Sequence, residues 1–133
     1  MMNTKIWEMV LNRLHIKYHE HQMPASTIFF CRLPNRLSFN MMVHLDGTVR
    51  LWRYICFDMP KEQVGLNFAY TKSENNGAVV GYEVTDECDL NCYAEQIVDL
   101  LEKNAEFRII KQLNGFSTLI TRMSFRYNQQ VCS

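Results

Sequence analysis

Residues 37–57, LSFNMMVHLDGTVRLWRYICF, read as two extended segments folded about Asp46-Gly47. An Asp-Gly pair between alternating segments is a strong hairpin signal, because both central residues of a type I′ turn adopt positive φ. A two-residue turn there sets Leu45 against Thr48, Val43 against Arg50, Met41 against Trp52 and Phe39 against Tyr54. The register assigns the faces, since a slip of one residue moves a whole strand's side chains across the sheet. One face then carries Leu37, Phe39, Met41, Val43 and Leu45 with Trp52, Tyr54 and Cys56, and is the expected core side. The other mixes Met42, Val49, Leu51 and Ile55 with Ser38, Asn40, His44 and Arg53, which is too apolar for plain solvent surface. Met42, His44, Val49, Leu51, Arg53 and Ile55 are therefore the expected partner-binding strip, covered by a helix, a second chain or a ligand.

Upstream of the hairpin, Asn3 or Thr4 is placed to cap a helix. Its Ile6, Trp7, Val10, Leu11 and Leu14 make one apolar stripe. After Leu14 the period shortens: Ile16 and Tyr18 alternate with His15, Lys17 and His19, as in a short extended piece closed by Pro24. Thr27 to Arg32, TIFFCR, is a β-prone run between Pro24 and Pro34, hence a strand beside the hairpin.

Downstream, Pro60 ends the second hairpin strand and residues 59–63 make a short crossing. Val64, Leu66, Phe68 and Tyr70 alternate, as do Ala78, Val80, Tyr82 and Val84. A loop over Thr71 to Gly77 sets Tyr70 near Ala78 and Phe68 near Val80, which buries more than a tight turn at Asn76-Gly77 would. The rival reading makes 61–72 a helix with Pro60 at its start. Asp89 caps an expected helix from Leu90, with Tyr93, Ala94, Ile97, Leu100 and Leu101 on one side. It either runs through EFRIIKQL to Asn114-Gly115 or breaks near Asn104. Phe116, Leu119, Ile120, Met123 and Tyr127 then recur at helical spacing, so a last short helix is expected.

A chain of 133 residues is one domain by length. Fourteen basic residues balance fourteen acidic ones, which removes the basic excess that duplex nucleic-acid binders use against phosphates. The five cysteines, Cys31, Cys56, Cys88, Cys92 and Cys132, are odd in number and mostly in apolar contexts, so they read as reduced intracellular thiols. No segment approaches the roughly 20 apolar residues of a membrane span. The N-terminal pattern lacks an uninterrupted signal core. The expectation is a cytosolic protein.

Candidate chemistry is sparse. His15, His19 and His21 fall within seven residues, and imidazole is a common metal ligand. His15 and His19 would share a face on a helix, His19 and His21 on a strand, and a polar helix-to-strand connection explains them without metal. Cys88 and Cys92 sit four apart at the expected helix start, where the macrodipole would lower a thiol pKa. With no second Cys pair they read as small buried residues. A Cys-His pair drawn from Cys31, Cys56 and His44 has no specific spacing. Asp86, Glu87 and Asp89 complement the expected helix N-terminus. No Gly-rich phosphate loop and no nucleophile elbow occurs, so no enzyme, cofactor or metal is expected. Arg32, Arg36, Arg50 and Arg53 with Phe30, Trp52 and Tyr54 suggest a single-stranded nucleic-acid surface. The type I′ register opposes it by sending Trp52 and Tyr54 to the core and Arg53 away.

The order of elements is similar to the bacterial YbjN-like family and the class I type III secretion chaperones. The likeness lies in IWEMVLNRLHIKY leading into STIFFCRLP, in LDGTVRLWRYI, and in GAVVGYEV running into LNCYAEQIVDLLEKN. It spans residues 5–104 as an organisation of elements, and the helix such proteins carry after the third strand is here only PKEQ. The resemblance implies a non-enzymatic protein that buries sheet or helix against another protein chain, often as a homodimer. The sequence reading is thus an α+β domain: an antiparallel sheet of about five strands, with an N-terminal helix and C-terminal helices packed mainly on one face. Its expected function is protein binding, as a chaperone-like or regulatory adaptor. The alternatives are a viral or mobile-element inhibitor of a host complex and a single-stranded nucleic-acid binder.

Overall fold

The computed structural model describes residues 4–72 and 78–128. In chain order these form α1 (Lys5–Arg13), β1 (Lys17–Met23), β2 (Ser26–Arg32), β3 (Ser38–His44), β4 (Thr48–Cys56), a 3-10 turn (Lys61–Gln63), β5 (Asn67–Lys72), β6 (Val79–Val84), β7 (Leu90–Ile97) and α2 (Ala105–Asn128). The strands build one seven-stranded sheet in the order β1-β2-β3-β4-β7-β6-β5, antiparallel at every pairing. The α+β class is as expected, with two more strands than the expected five. The additions are β1, longer than the short extended piece read there, and β7.

The central hairpin closes differently from the expected type I′ turn. Gly47 donates its N–H to the His44 carbonyl at 3.0 Å, Gly47 has φ 95°, and Asp46 Oδ1 accepts the Thr48 N–H at 2.9 Å. The loop is therefore three residues, Leu45-Asp46-Gly47, with one left-handed residue at its end. The extra residue slips β4 by one, pairing Val43 with Val49 and Met41 with Leu51. Val49 and Leu51, read as surface, are each only 1% exposed, while Tyr54, read as core, is 44% exposed. Ile55, beside the irregularity between Tyr54 and Cys56, is also buried. Leu45, expected on the core side, is exposed, whereas Phe39, Met41, Val43 and Cys56 are buried as expected.

The same three-residue closure recurs. Arg36 donates to the Leu33 carbonyl between β2 and β3, and Cys88 donates to the Thr85 carbonyl between β6 and β7, both at 2.9 Å. Arg36 and Cys88 have φ 75° and 65°. At Gly47 any side chain would force the backbone to shift, since a Cβ there would lie 2.8 Å from the Val98 carbonyl oxygen.

The segment from Leu90, expected to be helical, is the strand β7. Its Leu90, Cys92, Ala94, Gln96 and Val98 are all buried, a period of two that the overlapping helical stripe concealed. As a strand it pairs on both sides, with β4 and with β6, and so supplies the middle of the sheet. Asp86, Glu87 and Asp89 consequently belong to a β-turn, not a helix start. Helix begins only at Ala105 and runs unbroken to Asn128 through Asn114-Gly115. Glycine costs about 1 kcal/mol inside a helix. Here Ile109, Leu113, Phe116, Ile120 and Met123 are buried along one stripe, which outweighs it, so the expected break and separate last helix do not occur.

Residues 61–72 are not a helix: beyond the 3-10 turn they enter β5, which pairs with β6. Phe68 faces Tyr82, not Val80, a shift of two that preserves the face. The loop expected between these strands falls mostly at 73–77, outside the described residues. At the other end Thr4 precedes α1, its carbonyl accepting the Glu8 N–H at 3.0 Å and its hydroxyl donating to the Glu8 carboxylate at 3.2 Å. The alternative cap, Asn3, lies outside the described residues. Helix α1 ends as Ile16 and His15 donate to the Leu11 and Asn12 carbonyls at 2.9 and 3.1 Å, a Schellman closure with His15 left-handed at φ 58°.

Both helices lie on one side of the sheet. The Phe116 ring meets Phe39 edge-on at 5.4 Å, and Tyr18, which stands over Phe29 at 5.7 Å, donates to Glu8 of α1 at 3.4 Å. The core is the layer between that side and the helices. Leu51→Asp should unfold the domain, because it places an unpaired charge beneath α2; a native circular dichroism spectrum with a cooperative melt would contradict this placement. Gly47→Ala should cost about 1–3 kcal/mol from its left-handed backbone and the contact with Val98, read as a lower urea midpoint at unchanged slope.

Candidate functional site

The opposite side of the sheet carries no helix among the described residues. Alternation from the observed pairings puts His19, Phe30, Asn40, Trp52 and Tyr93 in one cross-strand row and His21, Ile28, Met42, Arg50 and Glu95 in the next. Tyr54 and Asn91 follow on one flank, His44, Thr48 and Ile97 on the other. Phe30 is 50% exposed and Ile97 61%; Ile28, Met42, Trp52 and Tyr93 are half-buried. This is an aromatic and methionine-bearing platform. Its apolar content lies in different residues from those the sequence reading chose.

Of the six expected partner-binding residues, only Met42 and His44 lie on this open face. Val49, Leu51 and Ile55 are in the core for the register reason given above. Arg53 is occupied at the seam beyond the last β3–β4 pair, where its Nη1 donates to the Ser38 carbonyl at 2.8 Å and hydroxyl at 3.0 Å. Burial pulls its pKa down from the ordinary guanidinium value. Absent from the expected partner-binding strip were Phe30, Trp52 and Tyr54, which the sequence reading named only for a nucleic-acid surface, and Tyr93, which it placed on a helix. Three-residue closure of the hairpin would have found Trp52 and Tyr54, and recognising β7 as a strand would have found Tyr93.

Charge on the platform is concentrated and largely cancelled. Arg50 pairs with Glu95, approaches Glu83 at 4.0 Å and lies 5.7 Å from the Tyr93 ring centre. Burial, then the Glu83 and Glu95 carboxylates, push the Tyr93 phenol up against the opposing pull of Arg50. The phenol thus stays neutral, with a cation over its ring. This cluster fixes side-chain directions on the platform, because Arg50 at its centre engages Glu95, Glu83 and the Tyr93 ring together.

The histidines and cysteines are dispersed by the fold. His19 and His21 share the open face of β1, as a strand requires, whereas His15 sits at the end of α1. Among the described residues no three His, Cys, Asp or Glu side chains are grouped to hold a metal. Cys88 is in a turn and Cys92 in a central strand, so neither feels a helix N-terminus. The Cys31 and Cys92 thiols are pushed up to about 12 by burial, which keeps them protonated and unsuited to nucleophilic work; Cys132 lies outside the described residues. The folded thiols bind protons more tightly than unfolded ones. Their contribution is fully present below about pH 9 and should be lost as pH rises towards 12. Maleimide labelling at pH 7.5 should leave Cys31 and Cys92 unmodified until denaturant is added, and fast native labelling of either would refute their burial.

No helix among the described residues is long and apolar enough to cross a membrane. Comparison with protein-family models, with curated proteins and with solved structures finds no match in any of the three.

Proposed function

We propose that the chain is a non-enzymatic protein-binding module, chaperone-like or a regulatory adaptor, that docks another protein chain or a second copy of itself on the open sheet face. The observation that carries this reading is one continuous surface of Ile28, Phe30, Met42, Trp52, Tyr54, Tyr93 and Ile97 with its central charges already paired. Interfaces favour aromatic residues, Met and Arg, and contiguous apolar surface is uncommon on soluble monomers. Pre-paired Arg50 and Glu95 lower the desolvation cost of covering the face, because neither charge is left alone when water is excluded. The order of a first helix, antiparallel strands and a last helix, by which the chain resembles the YbjN-like and secretion-chaperone families, is kept with α2 in place of the segment from Leu90, and accords with this reading.

Met42→Asp tests it. Met42 lies directly opposite Arg50, so the new carboxylate has a partner and the fold should survive within about 0.5 kcal/mol, as at ordinary surface positions. Light scattering should show loss of self-association, or an affinity pull-down should lose the partner captured by the wild type. Unchanged size together with an unchanged set of captured proteins would refute the reading.

A second reading, single-stranded nucleic-acid binding, gains one specific observation. The observed register brings Phe30, Trp52 and Tyr54 to the same face as Arg32 and Arg50, removing the objection drawn from the sequence. It is distinguished by a mobility shift that weakens steeply with salt, whereas docking on the apolar platform should survive moderate salt.

A further inference from the structure

One corner of the sheet holds charge that the platform's pairing does not cancel. His15, Lys17, Arg32 and Arg36, together with Leu33 and Pro34, line a cavity of about 450 Å³. They reach it from three separate segments. Lys17 and Arg32 are cross-strand partners on β1 and β2, His15 follows α1, and Arg36 ends the β2–β3 loop. Among the described residues none of the four is in a salt bridge, whereas Arg13, Arg50 and Arg108 all are. Lys17, Arg32 and Arg36 thus gather like charge around one concavity whose lining, among the described residues, includes no carboxylate, an arrangement that an anion would complete.

The shape narrows the anion. Cations spaced along a strand would suit an extended acidic peptide, but these surround one concavity and suit a compact, multiply charged group. Phosphate carries roughly −1.5 to −2 charges near neutral pH and offers three acceptor oxygens, and Arg side chains match them with paired donors. A second cavity, of about 470 Å³, shares Lys17 and Arg32 with the first and is lined by Phe30, His19 and Asn40. Phe30, flanked by His19 and Asn40 across the strands, thus offers a ring face next to the cations, and Asn40 an amide able to pair with a base edge.

We propose that this corner is a nucleotide-binding site, with the phosphate held by His15, Lys17, Arg32 and Arg36 and the base stacked on Phe30 beside Asn40. The site shares Phe30 with the platform proposed to dock a protein, but its phosphate-binding residues lie outside that platform and Met42 and Arg50 line neither cavity, so Met42→Asp and Arg36→Gly test the two readings separately. The left-handed backbone at Arg36 makes the test clean. Glycine adopts that conformation freely, so Arg36→Gly removes a cation without straining the turn, and its Tm should equal or exceed that of the wild type.

Binding would be measured by calorimetry at low salt with inorganic phosphate, a mixture of the four nucleoside 5′-monophosphates, a 5′-phosphorylated single-stranded oligonucleotide and an oligoglutamate peptide. The nucleotides should bind more tightly than inorganic phosphate, and Arg36→Gly should weaken them about tenfold or more, the loss of one charge-assisted contact. Phe30→Ser should weaken nucleotides while leaving inorganic phosphate unchanged. If the oligonucleotide exceeds the monophosphates, the source is a strand; if the two are equal, it is a free nucleotide; either supports the site. Absence of nucleotide binding would overturn the proposal, as would binding indifferent to Arg36→Gly in a folded variant. Inorganic phosphate binding as tightly as nucleotides, or oligoglutamate competing equally, would overturn the assignment of the ligand class.

Discussion

The backbone contact between Gly47 and Val98 is the constraint on which the arrangement of both sheet faces depends. Val98 donates its N–H to the Gly47 carbonyl at 2.8 Å, and the missing Cβ leaves room for the Val98 carbonyl to approach. The contact ties the β3–β4 loop to the end of β7, about fifty residues later in the chain. It holds the three-residue loop open and, with β4 beside β7 throughout, keeps Val49 and Leu51 turned towards α2. Closing the loop by one residue fewer would send those two outward and bring Arg50 and Trp52 into the core. The buried charge alone makes that alternative costly.

Legibility in the sequence divides along physical lines. Helix α1, the strands β2 to β6 and the neighbours β3–β4 and β5–β6 were readable, though neither hairpin's register was, because their apolar residues follow a single period and are bounded by Pro or Gly. The segment from Leu90 was not, since Tyr93, Ala94, Ile97, Leu100 and Leu101 satisfy a helical stripe while Leu90, Cys92, Ala94 and Val98 satisfy a strand. Two open neighbours, β4 and β6, decide the matter, and they are remote in sequence. Local pattern cannot see such tertiary demand. Asn114-Gly115 misled for the converse reason: its stop signal is local, and burial of Phe116 and Ile120 on the sheet overrides it.

The candidate site was lost to a smaller error. Asp46-Gly47 identified the hairpin correctly, but its loop length was read as two where three residues are used. That single residue exchanged the faces of β4, moving Val49 and Leu51 inward and Trp52 and Tyr54 outward. Three of the apolar residues assigned to the second face, Val49, Leu51 and Ile55, are therefore core, and the apolar content of the open face comes instead from Trp52, Phe30, Ile28 and Tyr93 beside Met42. The other two turns of the same geometry, ending at Arg36 and Cys88, lack glycine and carry no comparable sequence signal.

Placement of polar groups separates the two regions on the open face. In the middle, Arg50 has Glu95, Glu83 and the Tyr93 ring around it, so its charge is satisfied before any ligand arrives. Such a centre contributes shape and apolar area, and demands little of the charge on what covers it. At the β1–β2 end, Lys17, Arg32 and Arg36 have no such company among the described residues, and their field extends outward. A balanced total of fourteen basic and fourteen acidic residues conceals this asymmetry, because acidic groups elsewhere balance the sum while, among the described residues, no carboxylate lines the corner cavity. Beyond roughly 8–10 Å at physiological salt such compensation is largely screened. The corner therefore behaves as a basic surface on a neutral protein, and the platform beside it as an apolar one.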